Sequence, residues 1–532
     1  MSKIVNLQES KKNIVIEGLK KCLHSLAGYD LNSLMPLLYV LCGHHKGHRT
    51  LIVFDDTDSI FAGEAHIQTV DEEESPLLKE IRSSVKDSSF SGPNAEIIYD
   101  FYSTYCDYIN DFYQDMIEYI IDYSTMRLGK YSGMTATPKE IAQLMGFLIS
   151  QQQPHAVYDP CAGLCSFAML PELNNVRFKG SEINSLIKII ADVRLDAAGK
   201  KITLEQEDST TNWGAASDCD CLASELPFGV RVNDNTRSNH RPYFLEDHVI
   251  SQFLESSTIQ SAVLLVSVST CYRRENFDLR KTLCEKNYVD AVIKLPNGIL
   301  PCAGIPSVIL ILNKNRDTKD VTFVYTADCL ISDMKHRKLD YKQVINRLQN
   351  TDNEQTCSVN VGETFKHDCD LTPNLYITKM IEVEPGQKLV KLTEIAKIIR
   401  GERNFADTEG RVLQREDLCE KVTDIHTREN TIESTKLDNS HRQLRKIEGK
   451  CVIFNISADK FYYKNDNEAL FVNPNYTCFE VNEEKCAPEY FIHIVIDNPQ
   501  VVSNFMHGAG MQRANFSSML LPFYEDTESQ KN

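Results

Sequence analysis

The sequence lacks the features that mark membrane, secreted and fibrous proteins. It contains no stretch of about 18 apolar residues that could span a bilayer. The polar segment from Met1 to Lys11 has no apolar core of a secretory signal. Only 1 tryptophan occurs among 532 residues, and there is no low-complexity segment and no internal repeat. We therefore expect a globular, cytoplasmic protein without a membrane partner.

Nucleotide-hydrolysing and metal-binding motifs are also missing. There is no phosphate-binding loop of the Gly-x-x-x-x-Gly-Lys-Ser/Thr type, and no nuclease motif is evident. Cys161 and Cys165 lack a second pair of ligands at metal-binding spacing, and the histidines within Cys42–His48 are interpreted as a polar loop. We therefore expect no metal site. The 17 cysteines are scattered through helix-like and strand-like segments, which indicates reduced thiols.

The composition is otherwise that of a large globular chain. Hydrophobic residues make up 42% and charged residues 25% of the sequence, and the length predicts about two to four domains. The net charge is -18. Taken for the whole chain, this charge disfavours nucleic-acid binding, because phosphate contacts need clustered Lys and Arg. A basic cleft on the acidic molecule, or a basic partner subunit, would still permit such binding.

Residues 1–130 are predicted to form a helical domain. Leu31–Cys42 is apolar, and Ile97–Tyr123 is rich in aromatic residues at helical spacing. These aromatic residues are Tyr99, Tyr102, Tyr105, Tyr108, Phe112 and Tyr119. They would suit a base-stacking stripe, but we favour their packing in a helical core.

Residues 131–330 alternate between strand-like and helix-like segments. The predicted strands are Ala156–Asp159, Arg177–Glu182, Ile202–Glu207, Asp218–Ala223, Val263–Val268, Val289–Leu295 and Val308–Leu312, and the predicted helices are Ser185–Ala198 and Glu246–Glu255. Runs of Val, Ile and Leu are typical of strands buried on both faces. The alternation predicts a doubly wound α/β fold around a parallel sheet. Ligands bind such sheets at the carboxyl ends of the strands.

The remainder of the chain changes character twice. Residues 331–384 are polar and are predicted to be a connector. Residues 385–528 predict a separate α+β domain, in which Cys451–Ile456 and Leu520–Pro522 resemble strands. Pro488 suits the first turn of a helix.

Acidic residues follow three of the predicted strands at the edge where a ligand would bind. Asp159 precedes the small-residue loop Pro160–Cys165, whose backbone N–H groups can approach a ligand closely. Glu182 ends the next strand, where a carboxylate can accept hydrogen bonds from two ribose hydroxyls. Asp208 follows the third strand, where a carboxylate can receive an adenine amino group. Singly, Glu182 and Asp208 would be ordinary strand-end caps, but the ordered set favours a binding site.

Two further motifs flank these residues. Thr137 is predicted to cap a helix, with Pro138 at the first helical position. Ser224–Gly229 places a proline–aromatic pair after another strand. In order, Thr-Pro, Asp-Pro-x-x-Gly, Gly-x-Glu-x-Asn, Asp-Ser and Pro-Phe-Gly resemble the modification (M) subunit of type I restriction-modification systems, an N6-adenine DNA methyltransferase. The resemblance covers roughly residues 1–330.

This resemblance implies a fold, a cofactor and a site. It implies a helical N-terminal domain and a doubly wound, Rossmann-like methyltransferase core that uses S-adenosylmethionine. The implied cofactor-binding residues are Thr137, Asp159, Cys161, Gly163, Glu182 and Asp208. The target adenine would leave the base stack, and Phe228 would stack on it. Glu225 and the carbonyl of Leu226 or Pro227 would accept the hydrogens of its amino group.

Two loops depart from the family's pattern. The family's cofactor loop is Asp-Pro-x-x-Gly-x-Gly, and Cys165 replaces its last glycine. We expect this change to place a Cβ and a sulfur where backbone would approach the ligand. The family's catalytic loop is Asn-Pro-Pro-Phe, and here Glu225 and Leu226 replace its first two residues. Glutamate is longer and charged, loss of proline predicts a less rigid loop, and about 1 Å of misplacement can cost roughly a hundredfold in rate.

Residues 385–528 resemble one half of a type I specificity (S) subunit, a target recognition domain. The resemblance is carried by Lys391–Ile395, Arg400–Gly401, Cys451–Phe454, Pro488–Phe491, Gly508–Gln512 and Leu520–Pro522. It implies double-stranded DNA read in the major groove, a homodimer, and restriction or specificity subunits as partners. A basic run would contact phosphate or be a solvated face: His441, Arg442, Arg445, Lys446 and Lys450.

The sequence therefore predicts a site-specific DNA adenine-N6 methyltransferase fused to one target recognition domain, as the modification component of a restriction-modification system. The alternative is a former methyltransferase that binds DNA or senses the cofactor without transferring methyl. Methylation of RNA or protein is disfavoured, because the C-terminal domain resembles a DNA reader.

Overall fold

A computed structural model describes most of the chain, and the chain divides into two compact units. The units are Met1–Pro373 and Asn374–Asn532. The described residues are 2–26, 30–48, 50–54, 65–69, 74–132, 136–232, 243–296, 298–300, 305–332, 337–350, 355–377, 386–399, 401–402, 409–414, 417–418, 434–437, 444–455, 460–473, 476–497, 520–524 and 530. Within these ranges, no helix is both long and apolar enough to cross a membrane.

The first unit begins with the predicted helical region. Its elements are α1 (Ser2–Ser25), α2 (Leu31–His45), β1 (Thr50–Phe54), β2 (Ala65–Thr69), α3 (Pro76–Ser83) and α4 (Pro93–Ser132). The antiparallel hairpin of β1 and β2 was not predicted. Helix α2 begins at a capping box, because Asp30 accepts a hydrogen bond from the N–H of Ser33 at 2.8 Å and donates its own N–H to the Ser33 hydroxyl.

The aromatic residues of α4 pack mainly inward, as predicted. Phe112 is 7% exposed, and four tyrosines lie against the buried core of the helical region: Tyr102, Tyr105, Tyr108 and Tyr119. Tyr99 is 37% exposed. The interpretation as a helical core is therefore confirmed for all of them except Tyr99.

The core of the first unit is built from a large sheet and its helices. Its elements are α5 (Lys139–Gln151), β3 (Ala156–Asp159), β4 (Arg177–Glu182), α6 (Ser185–Ala197), β5 (Thr203–Gln206), β6 (Cys221–Glu225), β7 (Arg231–Val232), β8 (Tyr243–Phe244), α7 (Leu245–Glu255), β9 (Ser261–Ser267), α8 (Phe277–Glu285), β10 (Val289–Lys294), β11 (Ser307–Asn313), β12 (Asp320–Tyr325), β13 (Leu330–Ser332), β14 (Arg337–Leu339), α9 (Tyr341–Gln349), β15 (Thr356–Asn360) and α10 (Val361–Phe365). In the described residues the large sheet has the order β15-β12-β10-β11-β9-β6-β3-β4-β5.

The sheet is mixed, whereas the sequence predicted a parallel one. Strands β3, β4, β5, β6 and β9 pair in parallel, but β11 runs antiparallel to both β9 and β10. Every residue of β9 is buried, and so are all but the last of β11. A run of Val, Ile and Leu reports burial on both faces and not strand direction. The direction of β11 was therefore not accessible from the pattern.

The residues predicted as a connector contain regular structure up to the end of the first unit. Helix α9 is capped by Asp340, whose carboxylate accepts the N–H of Gln343 at 3.1 Å. Strand β15 pairs antiparallel with β12 at the edge of the large sheet.

The second unit is a mixed α and β structure. Its elements are β16 (Gln387–Lys391), α11 (Leu392–Ile395), β17 (Ala396–Ile399), β18 (Glu409–Val412), β19 (Ser434–Lys436), β20 (Arg445–Ile447), β21 (Cys451–Asn455), β22 (Lys460–Lys464), β23 (Leu470–Val472), β24 (Thr477–Val481), α12 (Pro488–Asp497) and β25 (Leu520–Tyr524). Its described strands form the sheets β17-β24-β21-β22 and β19-β18-β23-β20 and the pair β16-β25. Helix α12 starts at Pro488 as predicted. Gly508–Gln512 lie outside the described residues.

Candidate functional site

Strand β3 delivers Asp159 to the carboxyl edge of the sheet. Asp159 is 2% exposed, and its Oδ1 accepts the hydroxyl of Ser224 at 2.6 Å and the N–H of Cys161 at 3.0 Å. Burial raises the pKa of Asp159 to about 7, with the negative charges of Glu182 and Glu225 acting in the same direction. This carboxyl is therefore held in place while its ionised form is disfavoured.

Glu182 fixes the loop that follows Asp159. Its Oε2 accepts the N–H of Gly163 at 3.1 Å, and its Oε1 accepts the N–H of Asn184 at 2.7 Å. Burial raises the pKa of Glu182, and these N–H groups oppose the rise. The loop also approaches β4 closely, since a Cβ added at Gly180 would lie 2.6 Å from that of Ala162. Glycine is thus required at position 180.

The glycine loop leaves room for a ligand. Gly163 has φ of +50°, and a Cβ added there would meet only the carbonyl oxygen of Cys161, at 4.0 Å. Such a left-handed, open position is where glycine allows backbone to face a bound molecule. The residues of this edge therefore fit a nucleotide-like cofactor.

Cys165 does not have the orientation expected from the sequence. Its φ is +54°, as would suit the glycine it replaces, but its side chain is 0% exposed and lies in the hydrophobic core. The expectation that its sulfur stands where a ligand approaches was wrong, because the side chain packs beneath the loop. What the substitution adds is backbone strain, about 1 kcal/mol or more for a residue other than glycine.

Asp208 lies beyond β5, as predicted, and is exposed. Its Oδ1 accepts the N–H of Thr210 at 2.9 Å. The hydroxyl of Ser209 lies 3.9 Å from the sulfur of Cys161, which links this turn to the glycine loop. Trp213 donates its indole N–H to the carbonyl of Ser209 at 2.6 Å. The single tryptophan therefore lies beside the candidate cofactor site.

Strand β6 ends at Glu225, on the same sheet edge as Asp159. The hydroxyl of Thr137 donates to Oε2 of Glu225 at 2.5 Å. Burial raises the pKa of Glu225, and this hydrogen bond opposes the rise. The prediction that Thr137 caps the following helix was wrong: α5 begins at Lys139, and Pro138 is the residue before it. The hydroxyl is instead used by Glu225.

Leu226 anchors the loop that follows β6. Its N–H donates to the carbonyl of Leu265 at 3.1 Å, and its side chain is 1% exposed. Proline has no N–H and could not make this bond. The lower rigidity expected from the loss of proline stays a prediction, and this hydrogen bond acts against it. Pro227 is exposed, and Phe228 is half-buried against the core.

A carboxylate behind this loop was missed by the sequence interpretation. Glu246 is 0% exposed, its Oε1 accepts the hydroxyl of Ser267 at 3.3 Å, and its Oε2 has no hydrogen-bond partner among the described residues. Burial raises the pKa of Glu246, and the N–H of Gly229 and the charge of Arg273 oppose the rise. Glutamate is common in the first turn of helices, so nothing in the local sequence distinguishes Glu246 as a buried carboxyl.

Two lysines of the basic run in the second unit are paired with acids. Lys446 lies 2.5 Å from a carboxylate oxygen of Glu448, and Lys450 lies 4.0 Å from one of Glu483. Arg445 is in β20. His441 and Arg442 lie outside the described residues.

The histidines of Cys42–His48 have partners in the helical region. His44 Nδ1 lies 3.0 Å from the hydroxyl of Tyr102, and His45 stacks on Tyr113 with ring centroids 4.1 Å apart. Across the described ranges, no group of three or more His, Cys, Asp or Glu is arranged to hold a metal ion.

Ionisation of the buried Asp159 carboxyl is expected to lower the free energy of unfolding at high pH. Its folded pKa, about 7, lies above the usual 3.8, so its contribution to stability is full below pH 4 and is lost as pH rises through 7. We expect Asp159→Asn, which retains Oδ1 for both hydrogen bonds, to raise the free energy of unfolding at pH 8 by on the order of a few kcal/mol. Near pH 4 the two proteins should be equally stable.

Urea unfolding at the two pH values measures this difference. The control is Glu205→Gln, which removes an exposed carboxylate from β5, two strands away from β3, and should change stability at neither pH. Equal stability of native protein and Asp159→Asn at pH 8 would contradict the assignment of a strained, buried carboxyl.

The fold is that of a Rossmann-like methyltransferase. A solved structure described as the basis of complex assembly and conformational transition of the type I restriction-modification system superposes with a TM-score of 0.51 at 16% identity, covering 71% of this chain and 93% of that chain. A sequence model of the N-6 DNA methylase family matches residues 109–384. The chain belongs to the N-6 DNA methylase family.

Curated relatives are distant. The chain is 22% identical over 306 residues to the type I restriction enzyme MpnII methylase subunit of Mycoplasma pneumoniae, covering 48% of this chain and 55% of the relative. It is 22% identical over 316 residues to the type I restriction enzyme MjaVII methylase subunit of Methanocaldococcus jannaschii, covering 52% and 54%. The chain thus spans about half the length of the curated relatives it matches.

Proposed function

We propose that this chain is an S-adenosylmethionine-dependent DNA adenine-N6 methyltransferase that acts as the modification component of a restriction-modification system. The observation that carries the proposal is the convergence of Asp159, Glu182 and Glu225 beside an open glycine loop. Asp159 is 2% exposed, and the negative charges of Glu182 and Glu225 both raise its pKa. A cationic ligand such as S-adenosylmethionine would relieve this repulsion.

The cofactor-side residues have separate roles. When bound, S-adenosylmethionine supplies an electrophilic methyl group on a cationic sulfur. Glu182 has lone pairs left for the ribose hydroxyls beyond its two backbone donors, and Asp208 is exposed to receive the adenine amino group. Cys161 and Gly163 contribute the backbone that faces the ligand. Asp159, aligned by Ser224, supports the loop.

The base-side residues hold the target adenine. Phe228 stacks on the extruded base, and Glu225, with the carbonyl of Leu226 or Pro227, accepts the hydrogens of its amino group. Thr137 positions Glu225, because its hydroxyl is already donated there. Glu225 can also stabilise the positive charge that develops on the amino nitrogen during transfer.

We propose that the second unit is a target recognition domain for double-stranded DNA, on the resemblance of its motifs to half of a specificity subunit. Its phosphate contacts would come from Arg442, Arg445, Lys446 and Lys450, once DNA competes with the acids that pair Lys446 and Lys450. A two-fold homodimer, and restriction or specificity subunits, are proposed as partners on the same resemblance, as is a cytoplasmic location.

The test is transfer of labelled methyl from S-adenosylmethionine to unmethylated genomic DNA, RNA and protein in parallel. We expect native protein to label DNA alone. Glu225→Asn restores the family's acceptor and should retain transfer. Adding Leu226→Pro removes the N–H donated to Leu265, so the double variant should be no faster than the single one.

The competing function has its own outcome in this test. Glu225 carries a carboxyl in place of the family's amide and is already hydrogen-bonded to Thr137, which favours a protein that binds cofactor or DNA without transfer. Labelling by Glu225→Asn but not by native protein would establish that competing function. Labelling of RNA or protein in place of DNA would refute the proposed substrate.

A further inference from the structure

We propose that Glu225 makes the cofactor site selective for charge, so that it binds the cationic methyl donor more tightly than the neutral thioether left after transfer. The inference rests on the proposed function and concerns one residue, the glutamate that stands where the family's loop has asparagine. An asparagine cannot discriminate two ligands by net charge. A carboxylate can.

The carboxyl of Glu225 is held in place, but among the described residues only one of its two oxygens accepts a hydrogen bond. Its Oε2 accepts the hydroxyl of Thr137, and its Oε1 has no hydrogen bond within the described part of the chain. The backbone of the next residue is also held, because the N–H of Leu226 donates a hydrogen bond to the carbonyl of Leu265 at 3.1 Å. The group therefore presents a free carboxylate oxygen from a rigid strand end.

Within the described ranges, Glu225 forms no ion pair with a lysine or arginine. The Thr137 hydroxyl before α5 is neutral, and the titratable neighbours are acidic: Asp159 at the end of β3 repels Glu225, and Glu182 at the end of β4 repels Asp159. Burial and the Thr137 hydrogen bond are the principal influences on Glu225 itself. A cation that enters this edge therefore meets several carboxyls.

The chemistry of transfer brings the missing cation to Glu225. The lone pair of the adenine amino nitrogen forms the bond to the methyl carbon, the carbon–sulfur bond breaks with its electron pair kept by sulfur, and the nitrogen then releases one proton to water. Reacting atoms must approach to about 3–3.5 Å. The side chain that accepts the amino hydrogens therefore lies within a few ångströms of the sulfonium, whose charge disappears in the product.

The preference depends on ionisation of Glu225. Because burial raises the pKa of this carboxyl, protonation at low pH removes the attraction for the sulfonium. The preference for the cationic cofactor should therefore grow as pH rises. One unit charge paired in a half-buried site changes a dissociation constant by about tenfold or more.

Three ligands of similar shape distinguish the effect of ligand charge on binding from the effect of ligand shape. S-adenosylmethionine carries a sulfonium, sinefungin an ammonium in its place, and S-adenosylhomocysteine a neutral sulfur. Binding to the full chain can be followed by the fluorescence of Trp213, the 1 tryptophan of the sequence, and by calorimetry. At pH 8 we expect native protein to bind both cationic ligands about tenfold or more tighter than S-adenosylhomocysteine.

The variants are Glu225→Gln and the control Glu205→Gln, which removes an exposed carboxylate from β5. Glu225→Gln should bring all three dissociation constants within about threefold of one another by weakening the cationic ligands, whereas Glu205→Gln should retain the native ratio. In native protein, which needs no variant to fold, the ratio should shrink as pH falls from pH 8. A ratio unchanged by Glu225→Gln and by pH would overturn the inference while leaving the cofactor site in place. Failure of all three ligands to bind native protein would overturn the proposed function as well.

Discussion

Glu182→Ala is expected to weaken binding of S-adenosylmethionine by about a hundredfold. The carboxylate accepts the N–H groups of Gly163 and Asn184 at 3.1 and 2.7 Å, so truncation leaves the glycine loop unpinned and removes the proposed ribose acceptor. Hydrogen bonds to charged groups contribute about 1.5–3 kcal/mol each, and about 1.4 kcal/mol changes a dissociation constant tenfold. Titration followed by Trp213 fluorescence measures the loss.

Two matched variants distinguish a loss of cofactor binding at Glu182 from a general loss of structure. Glu182→Gln keeps an acceptor oxygen of similar reach and should lose about tenfold or less, since neutral hydrogen bonds are weaker than charged ones. Glu205→Gln should bind as native protein does. Native affinity in Glu182→Ala, with an unchanged melting temperature, would remove Glu182 from the site.

Phe228→Ala is expected to lower kcat/KM for DNA by about tenfold to a hundredfold, because stacking of a base on an aromatic side chain contributes about 1–3 kcal/mol. The dissociation constant of the cofactor should stay within about threefold of the native value. Phe228 also packs partly against the core, so thermal unfolding must be measured beside the kinetics.

Two comparison variants accompany Phe228→Ala. One keeps an aromatic ring at position 228, and the other removes an aromatic ring at a different position. Phe228→Tyr keeps a ring and should keep most of the activity. Phe277→Ala removes an aromatic ring that is 36% exposed on α8 and should leave kcat/KM unchanged. If Phe228→Ala loses cofactor affinity and DNA activity in equal measure, the residue supports the loop and does not contact the base.

Local signals allowed parts of the site to be predicted closely. Strands β3 and β4 have the predicted bounds, because Asp159 is followed directly by proline and a helix-capping asparagine lies two residues after Glu182. The side chain of Asn184 accepts the N–H of Leu186 at 3.0 Å and starts α6 where the sequence indicates. Residues that end a strand or start a helix in this way act within a few positions of the chain. They can be identified without knowing which distant residues they contact.

Contacts between distant residues could not be predicted in the same way. Thr137 and Glu225 are 88 positions apart, so the sequence gave no reason to prefer their hydrogen bond over a helix cap. Strand β6 begins at Cys221, because a 3₁₀ turn occupies Gly214–Asp218, and the predicted start at Asp218 was too early. The orientation of Cys165 depends on what packs below the loop, which spacing along the chain does not specify.

The central claim is that this chain methylates the amino group of adenine in DNA. The most direct measurement incubates native protein with unmethylated DNA and S-adenosylmethionine carrying a deuterated methyl group, then identifies the nucleosides by mass spectrometry. The account predicts deuterated N6-methyladenine, at a level that Phe228→Ala reduces. DNA without that nucleoside, while Trp213 fluorescence reports bound cofactor, would contradict the account.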